Sequence, residues 1–106
     1  MDGVLAAPKH HKVVFENERI RLVEFNVAPG DTAPLHTHRW ASVNYLIEPS
    51  DFLSLGENGD VRVDSRTLAS GNEAGAVVAV QAFPPLHSVK NIGAVTMRGI
   101  AIELKD

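Results

Sequence analysis

No stretch of this chain repeats its apolar residues at the helical period. Short β-branched or alternating apolar runs are instead cut by Gly, Pro, Asn and Asp about every ten residues. Breakers at that spacing leave room for strands but not for ordinary helices, so the chain is restricted to an all-β sandwich or barrel. Segments 12–15 and 19–27 read as the first strands. In the second, Ile20 and Leu22 share one face while Val23, Phe25 and Val27 share the other; a bulge, or a strand covered on both faces, accounts for the switch. Ala28-Pro29-Gly30-Asp31 reads as a turn, after which Leu35-His36-Thr37-His38 resumes the strand pattern. Runs 42–47, 52–55 and 61–63 follow, the last two as a hairpin around Asn58-Gly59. Segment 67–75 reads as a polar loop and 76–80 as a fully buried strand. Phe83-Pro84-Pro85 breaks the pattern before 86–89 and 95–104 complete it. No internal repeat stands out. The sum is nine to ten short strands with little or no helix.

A chain of 106 residues supports one core. Residues 1–11 read as an N-terminal extension, flexible or pairing at a sheet edge, and 12–106 as the single domain. With no cysteine, any metal must be held by His, Asp or Glu, and a cytoplasmic location is expected. Ten Lys+Arg against 13 Asp+Glu give a net charge of −3 without a basic cluster, which argues against nucleic acid as a partner. The longest apolar stretch, 74–80, is far short of the roughly 20 residues of a spanning helix, so no membrane role is expected. Met1-Asp2-Gly3-Val4-Leu5-Ala6-Ala7 lacks the basic start of a secretory signal.

The five histidines are the chemistry-bearing residues. Side chains two apart on a strand share a face, so His36 and His38 present two imidazoles together while Thr37 points away. Such a pair is more often a solvated or hydrogen-bonded pair than a metal site. Its frame separates the readings. Gly30, His36 and His38, followed far downstream by His87 and Asn91, resemble the two sequence motifs of the cupin family, G-x5-H-x-H-x(3,4)-E-x6-G and G-x5-P-x-G-x2-H-x3-N. The resemblance spans roughly 12–104. It implies a double-stranded β-helix, a jelly-roll barrel with its site in the mouth.

The departures from those motifs are specific. The family's glutamate would fall at Ser42 or Val43, Pro49 stands where glycine is usual, and Pro84-Pro85 replaces part of the P-x-G element. The resemblance therefore implies a metal set of His36, His38 and His87 with no carboxylate. Three neutral ligands leave a divalent ion (Fe2+, Zn2+ or Ni2+) its full charge and open positions. Three-histidine cupin sites are similar to those of thiol and diketone-cleaving dioxygenases, which implies iron-dependent oxygen insertion. A non-catalytic binding or regulatory protein is the alternative. A metal-free isomerase is a weaker one, because it wants a His-Asp pair that the sequence does not display.

If strand parity continues past His38, Trp40, Ser42, Asn44 and Leu46 face the ligands; a bend after Arg39 would instead leave Trp40 at the rim or in the core. Arg98, within Thr96-Met97-Arg98-Gly99-Ile100, is either a pocket charge for an anionic substrate or an exposed edge residue. His10 and His11, being adjacent, point to opposite faces of a strand, so at most one reaches any given site and both are expected at the surface. A small-molecule ligand or substrate is the expected partner, and sheet edges in need of cover make a homodimer the expected assembly.

Overall fold

In a computed structural model, which describes residues 2–105, nine strands form two antiparallel sheets. The strands are β1 (His11–Glu16), β2 (Ile20–Val27), β3 (Thr32–His36), β4 (Ser42–Glu48), β5 (Phe52–Gly56), β6 (Val61–Asp64), β7 (Val77–Val80), β8 (His87–Asn91) and β9 (Met97–Leu104). One sheet has the order β1-β2-β9-β4-β7 and the other β3-β8-β5-β6. After β2, and apart from the β5–β6 hairpin, sequence neighbours alternate between the sheets, the winding of a double-stranded β-helix. Among the described residues, helical structure is confined to one short turn, α1 (Gly3–Ala6), and a 3-10 turn at Ser65–Thr67.

The breakers act where the sequence puts them. Asp31 N–H donates to Ala28 O at 3.0 Å, and Gly30 takes a φ of +79° after Pro29. Pro followed by a positive-φ Gly is the composition of a type II turn, and here it aims Asp31 back at the start of β1. Gly59 has a φ of +83° in the β5–β6 hairpin. The apolar phase switch in 19–27 has a different origin from a bulge in that strand. β2 pairs with β9 without interruption, and the irregularity lies in its other neighbour, between Val13 and Phe15 of β1. The expectation that 76–80 is fully buried is corrected. β7 lies at a sheet edge, and Val77 and Val78 are 64% and 42% exposed. An apolar run cannot distinguish a central strand from an edge, because that depends on which strand pairs with it.

Residues 2–11, expected as an extension, are folded onto the barrel. Ala7 is 1% exposed and Asp2 forms a parallel bridge with Thr37. The buried apolar core consists of Val27, Ala33 and Met97, with Phe25, Leu46, Phe52 and Val89 packed around it, and several of these also line a cavity.

Asn91, wholly buried, closes the bottom of that core. Its Nδ2 donates to Val27 O and Val95 O at 2.8 and 2.7 Å, while its Oδ1 accepts from the Ser50 hydroxyl at 2.9 Å and Gly93 N–H at 2.8 Å. The residue that the motif offered beside a metal site is thus a four-way tie between loops. Ser50→Ala is expected to cost about 1 kcal/mol, since Oδ1 keeps its bond from Gly93. Urea unfolding checks this, and a loss below about 0.3 kcal/mol would show the tie to be redundant.

Candidate metal centre

A tripeptide that occurs twice builds the centre. Pro34-Leu35-His36 ends β3 and Pro85-Leu86-His87 begins β8, and His36 and His87 are direct partners in the antiparallel ladder. In each copy the ring folds back on its own proline, with His36 Nδ1–H donating to Pro34 O at 2.7 Å and His87 Nδ1–H to Pro85 O at 2.9 Å. A carbonyl can only accept, so the proton sits on Nδ1 and the Nε2 lone pair is left bare. His38 follows β3, and the expected alternation holds, since Thr37 turns away to donate its hydroxyl to Pro84 O at 2.6 Å.

A further imidazole comes from β1. His11 Nδ1–H donates to Ala7 O at 3.1 Å, and Gly3 lies flat against the ring, where a Cβ would approach Nε2 to 3.0 Å. The N-terminal turn thus fixes His11 as the prolines fix the other two. Ring centroids lie 4.5 Å apart for His36 and His87, 4.7 Å for His11 and His36, 4.9 Å for His36 and His38, 5.6 Å for His38 and His87, and 5.8 Å for His11 and His38. His36 is in the middle and 2% exposed. The three whose ligand-capable atoms lie within 4.8 Å of one another are His11, His36 and His38, with His87 alongside. Of the residues predicted as ligands, His36 and His38 fall in that group, while His87 lies beside it with its ring 4.5 Å from His36 and 5.6 Å from His38, and His11 takes the third place.

The reading of His10 and His11 as surface residues is therefore corrected. His10 precedes β1 in a turn, so strand alternation does not apply to the pair and both line the same cavity. His10, 9% exposed, bonds through Nε2 to the Asp31 carboxylate at 2.7 Å. That is the His-Asp pair the sequence did not display. Its members are far apart in the chain and meet only through the 28–31 turn.

The cavity of about 150 Å³ is walled by Val23, Phe25, Val27, Val89 and Met97. Burial, reinforced by the neighbouring imidazoles, pushes His36 down to about 3 and His38 to about 4, and lowers His11 against its bond to Ala7 O. In the unfolded chain these rings protonate below about 6.5. The metal-free folded state thus binds fewer protons than the unfolded state between that value and about pH 4, and stability is full above about 6.5 and falls as pH drops. The metal-free protein is expected to lose thermal stability steadily from pH 7 to pH 4, with His38→Asn flattening the slope. A melting temperature unchanged over that range would contradict a neutral cluster.

Of the other expected pocket residues, Asn44 lines the cavity. Ser42, 7% exposed, accepts from Asn44 Nδ2 at 2.9 Å and so orients that amide. Trp40 and Arg98 are corrections. The chain bends at Arg39 and Trp40, and the indole lies outside the cavity under Arg21, Arg39 and Lys105, whose cationic groups are 4.9, 4.8 and 5.4 Å from the ring centroid. Arg98 is exposed between buried Met97 and Gly99, the ordinary alternation of a strand.

Sequence reasoning missed Glu103, which is 2% exposed, lines the cavity and is the β9 partner of Ser42. A carboxylate thus stands across the ladder from the position of the missing glutamate. Asp2, His38 and Glu103 form a second group with metal-capable spacing. Its positive charge is supplied by Arg21, which binds Glu103 through Nε and Asp2 through Nη2 at 3.0 Å. Pro-Leu-His, which occurs at both 34–36 and 85–87, is a local signal that could have marked the paired histidines. Nothing in the sequence pairs Arg21 with residue 103.

No family model matches the chain, and neither does any curated protein sequence. Solved structures do. A cupin domain from Bordetella pertussis superposes with a TM-score of 0.73 at 21% identity, covering 91% of this chain and 92% of that one. An RmlC-like cupin family protein with a double-stranded β-helix fold, from Methanocaldococcus jannaschii, gives 0.64 at 13% identity over 90% and 78% of the chains. The polyketide cyclase RemF from Streptomyces resistomycificus gives 0.62 at 21% identity, covering 91% of this chain and 64% of RemF. At these identities the likeness establishes the fold, a small single-domain cupin barrel.

Proposed function

We propose that this cupin-fold protein holds one divalent metal ion on His36, His38, His87 and His11 and acts on a small organic molecule in the adjoining cavity. The observation that carries the reading is the tethering of three Nδ1–H groups to backbone carbonyls, which leaves the Nε2 lone pairs of His11, His36 and His87 for a cation. The lowered protonation of His11, His36 and His38 keeps them neutral, as ligation requires. Neutral imidazole ligands would leave a bound ion its divalent charge, and it would supply oxygen chemistry as Fe(II) or polarise a carbonyl or enol as Zn(II) or Ni(II). The chain's own residues select and orient the ligand. The apolar wall excludes water, and Asn44, whose Nδ2 is engaged by Ser42 and Val78 O, is left with Oδ1 to accept from a bound molecule.

Reconstitution with Fe(II), Zn(II) or Ni(II), followed by dialysis and elemental analysis, is expected to give about one ion per chain. A content below about a tenth of an equivalent for all three would overturn the proposal. Oxygen uptake by the Fe(II)-loaded protein over a panel of thiols and diketones then decides the chemistry. Uptake supports the dioxygenase reading, and none across the panel favours a binding role.

A further inference from the structure

The outer face of the β1-β2-β9-β4-β7 sheet is apolar where a solvent-facing sheet would be polar. Val23, Phe25, Ala101, Glu103 and Asn44 line the cavity, so the residues alternating with them on β2, β9 and β4 point away from it. The register sets those residues in rows across the strands. One row runs Phe15, Leu22, Ile102, Val43 and Ala79, five apolar side chains on five successive strands. Beside it lie Ile20 and Leu104 on one side, and Ile100, Tyr45 and Val77 on the other. Phe15, Tyr45, Val77 and Leu104 are 50%, 46%, 64% and 49% exposed. Among the described residues, no helical turn covers them. α1 packs on β1 from the cavity side, where Gly3 meets the His11 ring, and the Ser65–Thr67 turn packs on β5 of the other sheet. The apolar phase switch between Leu22 and Val23 has its cause here: β2 carries no bulge against β9, so it presents apolar side chains on both faces, and the chain covers only one of them.

We propose that this face is the contact between two copies of the chain, related by a two-fold axis. Charge and size both favour a second copy as the occupant. A two-fold contact sets a patch against itself, so a rim of one sign would repel its own image. Here Lys12 and Glu24 continue the Ile100 row toward β1, and Arg98 and Glu48 are partners in the next row, so the rim is balanced on a chain whose net charge is −3. With strands about 4.8 Å apart and rows about 6.7 Å apart, the apolar part of the face measures roughly 24 by 20 Å in projection. Side-chain relief and the charged rim bring that toward the ~800 Å² per partner of a stable complex. The β7 edge, four residues long, offers much less. The proposal goes beyond the proposed function and does not depend on it, since the histidine cluster and the cavity lie on the opposite face of the sheet.

Sedimentation velocity of the full chain over about 5 to 100 μM reads the assembly, with the dimer expected as the main species by about 50 μM. Phe15→Lys combined with Tyr45→Lys puts two charges from each copy into the contact, at positions already half-exposed in a single chain, and should weaken self-association by more than about 100-fold. Circular dichroism of the variant checks that the barrel is intact. Val77→Lys, at the most exposed of these positions, is an independent second variant and should weaken self-association by at least about 10-fold. Val61→Lys adds the same charge at a 57% exposed site on β6 of the other sheet and should leave the dimer unchanged. Three results would overturn the proposal: a parent protein still monomeric at about 100 μM, a dimer that persists in the face variants as edge-to-edge pairing would, or an equal loss in Val61→Lys.

Discussion

His36→Ala is expected to weaken divalent-metal binding by more than about 100-fold and to abolish the rise in melting temperature that Zn(II) gives the parent protein. His36 is the ring that touches the other three, with centroid separations of 4.7, 4.9 and 4.5 Å to His11, His38 and His87. Removing a group that merely orients a ligand typically costs 10–100-fold, so removal of the central ligand should exceed that. At 100 times its dissociation constant a metal stabilises the folded state by about 2.7 kcal/mol, a shift large enough to read by thermal unfolding without any activity assay. Arg98→Ala, which alters an outward-facing side chain, serves as the control and should keep both the metal and the shift. Retention of affinity within about 3-fold in His36→Ala would place the metal elsewhere.

Arg21→Leu should be the most destabilising single substitution away from the centre, at about 3–5 kcal/mol. Arg21, Glu103 and Asp2 have side chains only 11%, 3% and 14% exposed, and one guanidinium serves both carboxylates. Its removal leaves Glu103 buried without a counter-charge. Urea unfolding measures the loss. Arg21→Leu combined with Glu103→Met should recover much of it, because the buried charge disappears with its partner. A loss below about 1 kcal/mol in the single variant would mean that solvent reaches the triad.

The same substitution reaches the histidine cluster by a second route. Asp2 caps α1, accepting from Val4 N–H at 3.3 Å, and α1 supplies Gly3 behind the His11 ring and leads to Ala7 O, which holds its Nδ1. Loosening Asp2 therefore loosens His11.

Different parts of the site were legible to different degrees. His36, His38 and His87 were readable because two of them are strand neighbours and the third lies in a recognisable motif. The two Pro-Leu-His copies carry the same information, since each proline carbonyl fixes the ring two residues on. His11 was not readable from an adjacent-histidine pair, because His10 lies in a turn, where strand alternation does not hold. Trp40 was lost to the bend at Arg39, the alternative reading for that residue. Arg98 followed the alternation of its own strand to the outside.

By itself, the sequence determined the class of the fold and the identity of most of the histidine set. Breakers, strand periodicity and residue spacing are local properties that survive without knowledge of strand pairing. Only the tertiary structure decided that His11 joins the cluster, that Glu103 lies opposite Ser42 under Arg21, that 76–80 is an exposed edge, and that His10 meets Asp31. Each of those depends on which strands become neighbours and in what register. A one-residue change of register would turn the same side chains to the opposite face, so no local pattern can specify them.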